Sequence, residues 1–525
     1  MAMLWSLAAG LGAGFSAKAW SADEAVSDAA SRPRFDIWEY QVEGNTLLDA
    51  TGIEKAVYPH LGPDRDIGAV EAARAALEQA YRSAGYATVV VGIPEQSVEG
   101  GIVRLQVTES RVSRVRVTGA RYYSQGRILA RTPSIAEGRT PRFTDFQDDL
   151  QAVNRFPGSR VTPVLRPGRE PGTTEIDLNV EDQNPLSASI ELNNHYSPNT
   201  SELRLTGAAS YANLWQRNHV LSLQYQTAPQ EPSEAKVWVG SYLMPLPDSD
   251  RMLAMYAVRS RSNVAALSDF TVIGNGDILG ARLVMPLAPS GSLYQSLTLG
   301  LDYKDFKENV EQPGTPGVQT PIRYVPASLS YSGSRADDRG EWQFSSGVVL
   351  GLRGFGSDEL AFENKRFQAH GNYLVWKWDA QRSQILSKDL TLVGRIDGQL
   401  ADQPLVSNEQ MSAGGASSVR GYLESEQIGD DGVHASLELR GASLLKADGA
   451  ARLKPVVFVE GAYLWLIDPL PGQKDEFGLY SAGLGLRLTE WHRLDASLDL
   501  GLALKDSPYT DAGQARLQFS ATLKF

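Results

Sequence analysis

Side chains suited to specific recognition are concentrated in one short segment, Ser417–Tyr422, which follows a glycine pair at positions 414–415. Arg420 carries a guanidinium group, whose planar N–H donors bind a carboxylate through paired, charge-assisted hydrogen bonds. Gly421 permits a tight backbone, and Tyr422 can pack against apolar surface while its hydroxyl keeps a hydrogen-bonding partner. The segment therefore predicts a loop tip that an acidic side chain holds in place. Taken alone, it is also compatible with an ordinary exposed loop.

The rest of the sequence offers few groups arranged for catalysis or metal binding. The chain has no cysteine, and its six histidines are scattered, at positions 60, 195, 219, 370, 434 and 492. Neither a His-Glu-x-x-His pair, a Gly-x-Ser-x-Gly elbow nor a phosphate-binding glycine loop that follows a strand occurs. Acidic pairs at 337–338 and 430–431 fall in predicted loops, where solvated turns are their usual role. We therefore predict no enzyme activity, no cofactor and no metal site.

The elements that must position Arg420 are long strands. From about residue 186 to Phe525, apolar side chains occupy every second position, most clearly at 493–504, and turns separate the stripes. Successive side chains of a strand point to opposite faces, so each stripe is one apolar face. The pattern is typical of a transmembrane β-barrel, although a soluble β-sandwich also alternates. The number, length and contiguity of the strands, and the terminal Phe525, favour the barrel.

Composition is compatible with this interpretation. The chain has 525 residues, enough for a large barrel and accessory domains. Its hydrophobic content of 42% and mean hydropathy of −0.26 argue against a helical membrane protein. The formal net charge of −12 argues against a nucleic-acid partner.

The N-terminus has the pattern of an export signal. Leu4–Phe15 is rich in Leu, Ala and Gly, and Ala17-Lys18-Ala19 offers a small-x-small cleavage site. The first residues lack the Lys or Arg of a typical signal, which a wrongly assigned start codon would explain. We predict a signal peptide at 1–19 and a short segment at 20–34.

Two small α/β units follow, at residues 35–110 and 111–185. Each is predicted to run β-α-α-β-β, with helices identified from apolar residues at helical spacing and turns from Pro-Gly pairs. The predicted elements of the first unit are strands at 35–42, 86–93 and 101–108 and helices at 47–58 and 67–84. Those of the second are strands at 112–117, 160–165 and 174–180 and helices at 125–130 and 143–154.

Short motifs in these units resemble one known family. Gly85–Thr88, Pro94–Gln96 and Val107–Glu109 resemble the first POTRA domain of the two-partner-secretion transporters, the TpsB type or ShlB/FhaC/HecB family of the Omp85 superfamily. The run Asn154-Arg155-Phe156-Pro157-Gly158 is similar to the second POTRA domain, and Asn213-Leu214-Trp215 to an early barrel strand. The resemblance extends over essentially the whole chain after residue 35.

This resemblance implies a role for the segment described first. In the family, a loop folds back into the barrel lumen with a Val-Arg-Gly-Tyr tetrad at its tip, which matches Val419, Arg420, Gly421 and Tyr422. The family places the acidic partner of the arginine on the inner wall, in a Phe-x-Asp-x-Gly motif. The nearest match is Phe458-Val459-Glu460-Gly461, in which Glu replaces Asp and the glycine comes one residue early. Alternation puts Glu460 opposite Val459, Tyr463 and Trp465, hence inward, so we predict an Arg420–Glu460 contact. Asp495 and Asp499 are alternative partners.

The resemblance also implies a fold, a location and a function. The fold is a transmembrane β-barrel of about sixteen antiparallel strands at 186–525, preceded by two periplasmic α/β POTRA domains. The location is the cell outer membrane of a Gram-negative bacterium, in contact with lipid. The implied function is recognition of a secreted TpsA-like exoprotein (adhesin, haemolysin or toxin) by the POTRA domains and its export through the barrel, without nucleic acid or nucleotide; activation of the partner remains open. Alternatives are an Omp85-type barrel assembly factor, a passive porin and an outer-membrane enzyme.

The family resemblance also implies one feature at each end of the chain. Phe525 corresponds to the terminal aromatic residue that the barrel assembly machinery reads. Many members also carry an N-terminal helix that plugs the pore. Cleavage near Ala19 leaves about fifteen residues before the first POTRA strand, which as a helix would span only about 22 Å. We therefore predict no full plug helix in the mature chain.

Overall fold

The computed structural model describes residues 33–155, 158–247, 249–262, 264–267, 270–310, 318–445 and 451–525. The predicted signal peptide, most of the segment at 20–34 with its plug-helix prediction, and Phe156-Pro157 lie outside these residues. The chain divides into two compact units. Of the described residues, the first unit comprises 33–119, 128–155 and 160–180, and the second comprises 120–127, 158–159 and those from Glu181 onward.

The first α/β segment of the N-terminal unit places two helices against a small sheet. Its elements are β1 (Phe35–Ile37), β2 (Glu39–Glu43), α1 (Ala50–Val57), a 3₁₀ turn (Tyr58–His60), β3 (Gly62–Arg65), α2 (Ile67–Ser83), β4 (Val89–Gly92) and β5 (Ile102–Glu109). The sheet order is β2-β5-β4, with β2 parallel and β4 antiparallel to β5. Helix α2 begins after Asp66, whose carboxylate accepts the N–H of Ala69. Its buried residues recur at helical spacing and belong to the core: Val70, Ala73, Leu77 and Tyr81.

One strand prediction needs correction in this segment. The strand predicted at 35–42 is divided at Trp38, because the N–H groups of Trp38 and Glu39 both donate to the carbonyl of Gly101. The two parts then pair with different strands, β1 with β3 and β2 with β5. Strand β3 was not predicted, because its Gly-Pro-Asp-Arg sequence has no alternation of apolar side chains.

Glu109, the last residue of β5, fixes the start of the α1 segment. Its carboxylate accepts hydrogen bonds from the backbone N–H groups of Thr46 (2.6 Å) and Leu47 (2.9 Å), and from the hydroxyl of Tyr81 (3.2 Å). Burial opposes ionisation of this carboxyl, but the hydrogen bonds outweigh it and lower the pKa of Glu109 below its ordinary 4.5.

The second α/β segment repeats the predicted order with similar bounds. It contains β6 (Arg111–Thr118), α3 (Gln125–Ala130), a 3₁₀ turn (Pro133–Ile135), α4 (Phe143–Asn154), β7 (Ser159–Pro167) and β8 (Thr173–Asp182). The sheet order is β6-β8-β7, with β6 parallel to β8. Apolar residues from all these layers are buried: Val112, Val117, Ile128, Phe146, Val153, Ile176 and Leu178.

The C-terminal unit is a closed antiparallel barrel. Its strand elements are β9 (Leu186–Asn193), β10 (Arg204–Leu214), β11 (His219–Thr227), β12 (Lys236–Pro245), β13 (Met252–Arg261), β16 (Gly276–Ser290), β17 (Leu293–Val310), β18 (Val318–Tyr324), β19 (Pro326–Asp337), β20 (Gly340–Gly351), β21 (Leu374–Ser387), β22 (Leu390–Ala401), β25 (Asp431–Arg440), β26 (Arg452–Trp465), β27 (Glu476–Trp491), β28 (Leu494–Ala503) and β29 (Ala515–Lys524). Other elements of this unit do not belong to the barrel wall. They are the hairpin of β14 (Val264–Leu267) and β15 (Phe270–Ile273), helix α5 (Glu359–Lys365), and the hairpin of β23 (Met411–Ala413) and β24 (Gln427–Gly429).

These elements make sixteen strands, as predicted. Strands β18 and β19 are two parts of one strand, because the pairs Lys304–Tyr324 and Leu301–Ala327 continue a single register along β17. The barrel closes where β29 pairs with β9, over five residue pairs from Ser520–Asn193 to Lys524–Ser189.

Side-chain alternation sorts the wall into an outer and an inner face. On β28, Leu498, Leu500 and Leu502 are exposed on the outer surface, whereas Asp499 and Ala503 are buried inside. Phe525 continues the outer stripe of β29, and its backbone N–H donates to the carbonyl of Ala188 across the closure (2.8 Å). An apolar exterior around a polar interior is the arrangement that lipid requires of a barrel. Among the described helices, none is long and apolar enough to cross a membrane.

The two ends of the barrel differ in their connections. At one end, the turn end, connections are mostly short, as at 338–339 and 388–389. At the other, the loop end, they are longer, and the connection at 402–430 is the longest between described strands. We call residues 402–430 the lumen loop, because it binds inward-facing side chains on distant parts of the wall, Lys304 of β17 and Asp499 of β28.

Candidate functional site in the barrel lumen

The structure places Arg420, near the tip of the lumen loop, directly against Glu460 on the inner wall. Glu460 points inward from β26, as the alternation along this strand predicts. Its Oε1 accepts Nε of Arg420 at 2.9 Å and Nη2 at 2.5 Å, and its Oε2 accepts the backbone N–H of Arg420 at 2.7 Å. One carboxylate thus binds both the side chain and the backbone of the tip. Arg420 is only 4% exposed.

Two further carboxylates complete the surroundings of the guanidinium group. Asp499 of β28 accepts Nη1 at 3.1 Å, and Glu438 of β25 lies 2.9 Å from Nη2. Asp499 was predicted as an alternative partner of Arg420, and in the structure Arg420 contacts both Asp499 and Glu460. Asp495, the other alternative, binds instead the ammonium group of Lys524 and the backbone N–H of Glu490.

Two more arginines of the wall balance the charge of these three acids. Arg440 donates to Glu438 at 2.6 Å, and Arg487 donates to Asp499 at 2.8 Å. Three arginines therefore face three carboxylates in one network. A buried group of charges is tolerated when it is paired and hydrogen-bonded in this way. Sequence reasoning missed Glu438, Arg440 and Arg487, although each lies on the inward face of its strand.

The aromatic ring of Phe458 supports the guanidinium group from the side. The central carbon of the group lies 3.5 Å from the ring centroid, a cation–π contact. Gly483 on the neighbouring strand makes room for this ring, since a Cβ there would lie 2.3 Å from it. Gly461, also named in the predicted motif, does not face Arg420. It lies on the outer face beside Tyr480, because adjacent residues of a strand point to opposite sides.

Backbone lies directly on backbone where the tip meets β28. Gly421 has a φ of +98°, a conformation that favours glycine. A Cβ on Gly501 would lie 2.6 Å from the nitrogen of Gly421 and 2.7 Å from the carbonyl carbon of Arg420. Gly501 is therefore required for the contact, and no motif in the sequence singles it out.

Tyr422 and Val419 fix the tip through packing. Both are fully buried in an apolar cluster with Ala413, Ala462, Leu464, Leu479 and Ala503. The hydroxyl of Tyr422 donates to the carbonyl of Lys505 (2.8 Å) and accepts the N–H of the same residue (3.2 Å). His434 adds a contact from β25 to the carbonyl of Ser418 (2.9 Å). All four tetrad residues are thus engaged by the wall of β25–β29.

The arrangement holds a loop in place. Each of the three acids around Arg420 is paired with an arginine. Within the described ranges, no group of three or more His, Cys, Asp or Glu side chains could hold a metal ion.

Fold and site together define a class of protein in which α/β segments precede a closed antiparallel barrel that holds an arginine-anchored loop in its lumen. Residues 172–488 match the sequence model of the haemolysin secretion/activation protein family ShlB/FhaC/HecB, and residues 35–110 match the ShlB-type POTRA domain. The chain belongs to the ShlB/FhaC/HecB family.

Similar proteins agree with this assignment. The chain is 22% identical to the outer membrane transporter CdiB of Dickeya dadantii over 419 residues, covering 79% of this chain and 74% of that protein. It is also 22% identical over 365 residues to the heme/hemopexin transporter protein HuxB of Haemophilus influenzae, covering 68% of this chain and 63% of that one. The solved structure of CdiB from Escherichia coli superposes with a TM-score of 0.61 at 20% identity (96% of this chain, 93% of that one). BamA from Haemophilus ducreyi, without POTRA domains 1–3, gives 0.57 at 14% (94% and 100%).

The family fixes the location and the general activity. The protein lies in the outer membrane with its POTRA domain in the periplasm, and it is a transporter of partner proteins. Because β9 follows the POTRA segments and starts at the turn end, the turn end is periplasmic and the loop end is extracellular.

Proposed function

We propose that this protein captures one large secreted exoprotein of the TpsA type, an adhesin, haemolysin or toxin, and exports it through its own barrel. The POTRA segments bind the unfolded partner, the barrel lumen is the passage, and the lumen loop controls it. Export needs no nucleotide, because folding of the partner outside the cell draws the chain outward.

The anchored lumen loop is the observation that carries this proposal. A barrel that only admits small solutes can keep a water-filled channel open at rest. A passage for a polypeptide must instead be closed at rest and opened without loss of the barrel. A loop held inside the lumen by specific contacts meets that requirement.

Edge strands in the POTRA segments support capture of an extended chain. In the described sheets, β2 and β4 each pair only with the central β5, and β6 and β7 only with β8. Each outer edge therefore presents backbone N–H and C=O groups that an extended peptide can pair with. Such main-chain bonding suits a partner that arrives unfolded, since it does not depend on one side-chain sequence.

The test is whether export of a partner protein depends on the gene that encodes this transporter. We expect that deletion of the gene leaves a co-expressed exoprotein, encoded beside it, in the periplasm, and that the wild-type gene restores it to the medium. Levels of other outer-membrane barrels should not change. If those barrels decline while the exoprotein still reaches the medium, the protein is an assembly factor and the proposed function is wrong.

A further inference from the structure

The lumen loop has a second attachment, on the side of the barrel opposite Arg420. We call residues 404–410 the strap; it is the part of the loop between β22 and the β23–β24 hairpin. Oε1 of Glu409 accepts hydrogen bonds from Nζ of Lys304 (2.5 Å) and from the hydroxyl of Tyr324 (2.6 Å). Both partners point inward, from β17 and β18. The strap therefore binds a part of the wall that the tip does not reach.

Apolar contacts extend this attachment towards the extracellular end. Leu405 and Val406 of the strap are buried at 1% and 2% exposure. They pack with Phe362 and Tyr373 of the neighbouring connection at 352–373, and with inward-facing residues of five strands, Val237, Val239, Val258, Phe306, Ile322, Tyr324 and Val375. An apolar core inside the lumen is unusual for a polar-lined barrel. This core fixes the strap to the inner wall.

A cavity lies behind the strap, on its periplasmic side. It has a volume of about 500 Å³ and is bounded by Asn408 and Glu409 on one side and by Ser328, Ser345 and Lys377 of the wall on the other. The wall here is polar and also contributes the charged side chains of Asp379, Arg395 and Asp397 to the lining. Movement of the strap away from the wall would join this cavity to the exterior.

The two attachments differ in what their release would expose. Withdrawal of the tip would leave Glu460 without its arginine and would separate Gly421 from Gly501, in a tightly packed part of the wall. Among the described residues, the strap is held by a single ion pair, Glu409–Lys304, whose members both line the cavity. The tip instead pairs one guanidinium group with three carboxylates, so its withdrawal would separate more buried charges than withdrawal of the strap. The strap is thus the attachment that can open repeatedly.

We propose that the strap at 404–410 is the moving gate of the lumen loop, that the tip around Arg420 stays attached as its fixed anchor, and that the exported chain passes between the strap and the wall of β19–β21. This inference rests on the proposed function for its substrate, a polypeptide, but the gate itself is defined by the contacts of Glu409, Leu405 and Val406.

Paired cysteines can immobilise each attachment separately, because the chain has no cysteine of its own. One variant carries Lys304→Cys and Glu409→Cys, and the other carries Ser418→Cys and His434→Cys, whose native contact joins the tip to β25. Each is treated with a short, reversible, thiol-specific crosslinker, so that the same protein after reduction is its own control. We expect the strap crosslink to stop export and reduction to restore it, while the tip variant should export equally with its crosslink in place and after reduction.

Channel conductance gives a second reading that needs no partner. In planar bilayers, Glu409→Gln should raise the fraction of time that the channel is open about tenfold, the change expected when a charge-assisted hydrogen-bonded pair is lost. The strap crosslink should hold the channel closed, and the tip crosslink should not.

The outcomes separate the gate from the proposed function. Arrest of export by the tip crosslink, alone or together with the strap crosslink, overturns the inference, and so does full export with the strap crosslinked. If neither reduced variant exports any protein, the proposed function fails. Conductance then tests the proposed gate by itself. The gate is refuted if neither Glu409→Gln nor the strap crosslink changes the open fraction of the channel.

Discussion

Replacement of Arg420 by alanine is the sharpest test of the anchored tip. The change removes the whole guanidinium group from a site with three acids, but these acids are not equally dependent on it. Asp499 keeps Arg487, and Glu438 keeps Arg440. Glu460 loses both of its side-chain hydrogen bonds and keeps only the backbone N–H of residue 420. The cost of the substitution is therefore concentrated on Glu460.

The magnitude follows from the burial of this pair. Removal of one partner from a buried ion pair costs about 3–5 kcal/mol, because the other charge is left uncompensated. At about 1.4 kcal/mol for each factor of ten, attachment of the tip should weaken between about a hundredfold and a few thousandfold. The double variant Arg420→Ala/Glu460→Gln should recover part of this loss, since the stranded charge is gone.

Thiol labelling measures attachment of the tip directly. Val419 is fully buried beside Arg420, so a single cysteine placed there by Val419→Cys reacts with maleimide only when the tip leaves the wall. We expect labelling to accelerate in the Arg420→Ala background by about the factor given above, since labelling follows the detached fraction. The matched control is Arg259→Ala, which breaks an exposed ion pair with Asp277 and should change nothing. Equal labelling rates with and without Arg420, in protein whose barrel is folded, would refute the reasoning.

Three further predictions concern other parts of the molecule. Gly501→Ala should detach the tip and speed labelling of the cysteine at 419, because its Cβ would meet backbone at 2.6 Å, whereas Gly240→Ala, with 3.5 Å to its nearest neighbour, should not. Glu109 has a lowered pKa in the folded state, so its contribution to stability is present above pH 4.5 and is lost as the pH falls through that lowered value. The protection factor of the α1 amides (intrinsic divided by observed hydrogen-exchange rate) in the full-length protein should therefore fall at acid pH, and Glu109→Gln should remove this pH dependence by keeping the protection factor low at every pH. Deletion of Phe525 should lower the amount of folded barrel in the outer membrane, measured by heat-modifiable electrophoretic mobility, and unchanged levels would contradict its role in assembly.

Alternation in the sequence was sufficient to predict which face each strand residue occupies. Glu460 was predicted to point inward because Val459, Tyr463 and Trp465 occupy the alternate positions of the strand, which face outward. The structure has Glu460 in this orientation. The approximate number of strands came instead from the length of the 186–525 segment, at about twenty residues for each strand with its connection, and from the family resemblance. These inferences succeed because lipid imposes one rule on every strand of the barrel wall.

Alternation does not give the height of a residue along the barrel. Whether Glu438 and Arg487 reach Arg420 depends on the register between strands, which the turns and loops set and which no local pattern encodes. Gly501 escaped notice for a related reason, since a glycine at an inward position has no distinctive sequence context until the tip is known to rest on it. Glu409 lies in an irregular segment, so neither helical nor strand periodicity could assign it a partner.

The position of the tip's contacts along the chain bears on how the barrel is built. Arg420 meets Glu460 and Asp499 at sequence separations of 40 and 79 residues, and Gly421 meets Gln518 at 97. The closure between β9 and β29 instead joins Glu191 to Thr522, 331 residues apart. Contacts between nearby segments cost less chain entropy and form sooner. The last quarter of the polypeptide can thus curve around Arg420 as a nucleus, and the first strand joins it only when the ring is complete.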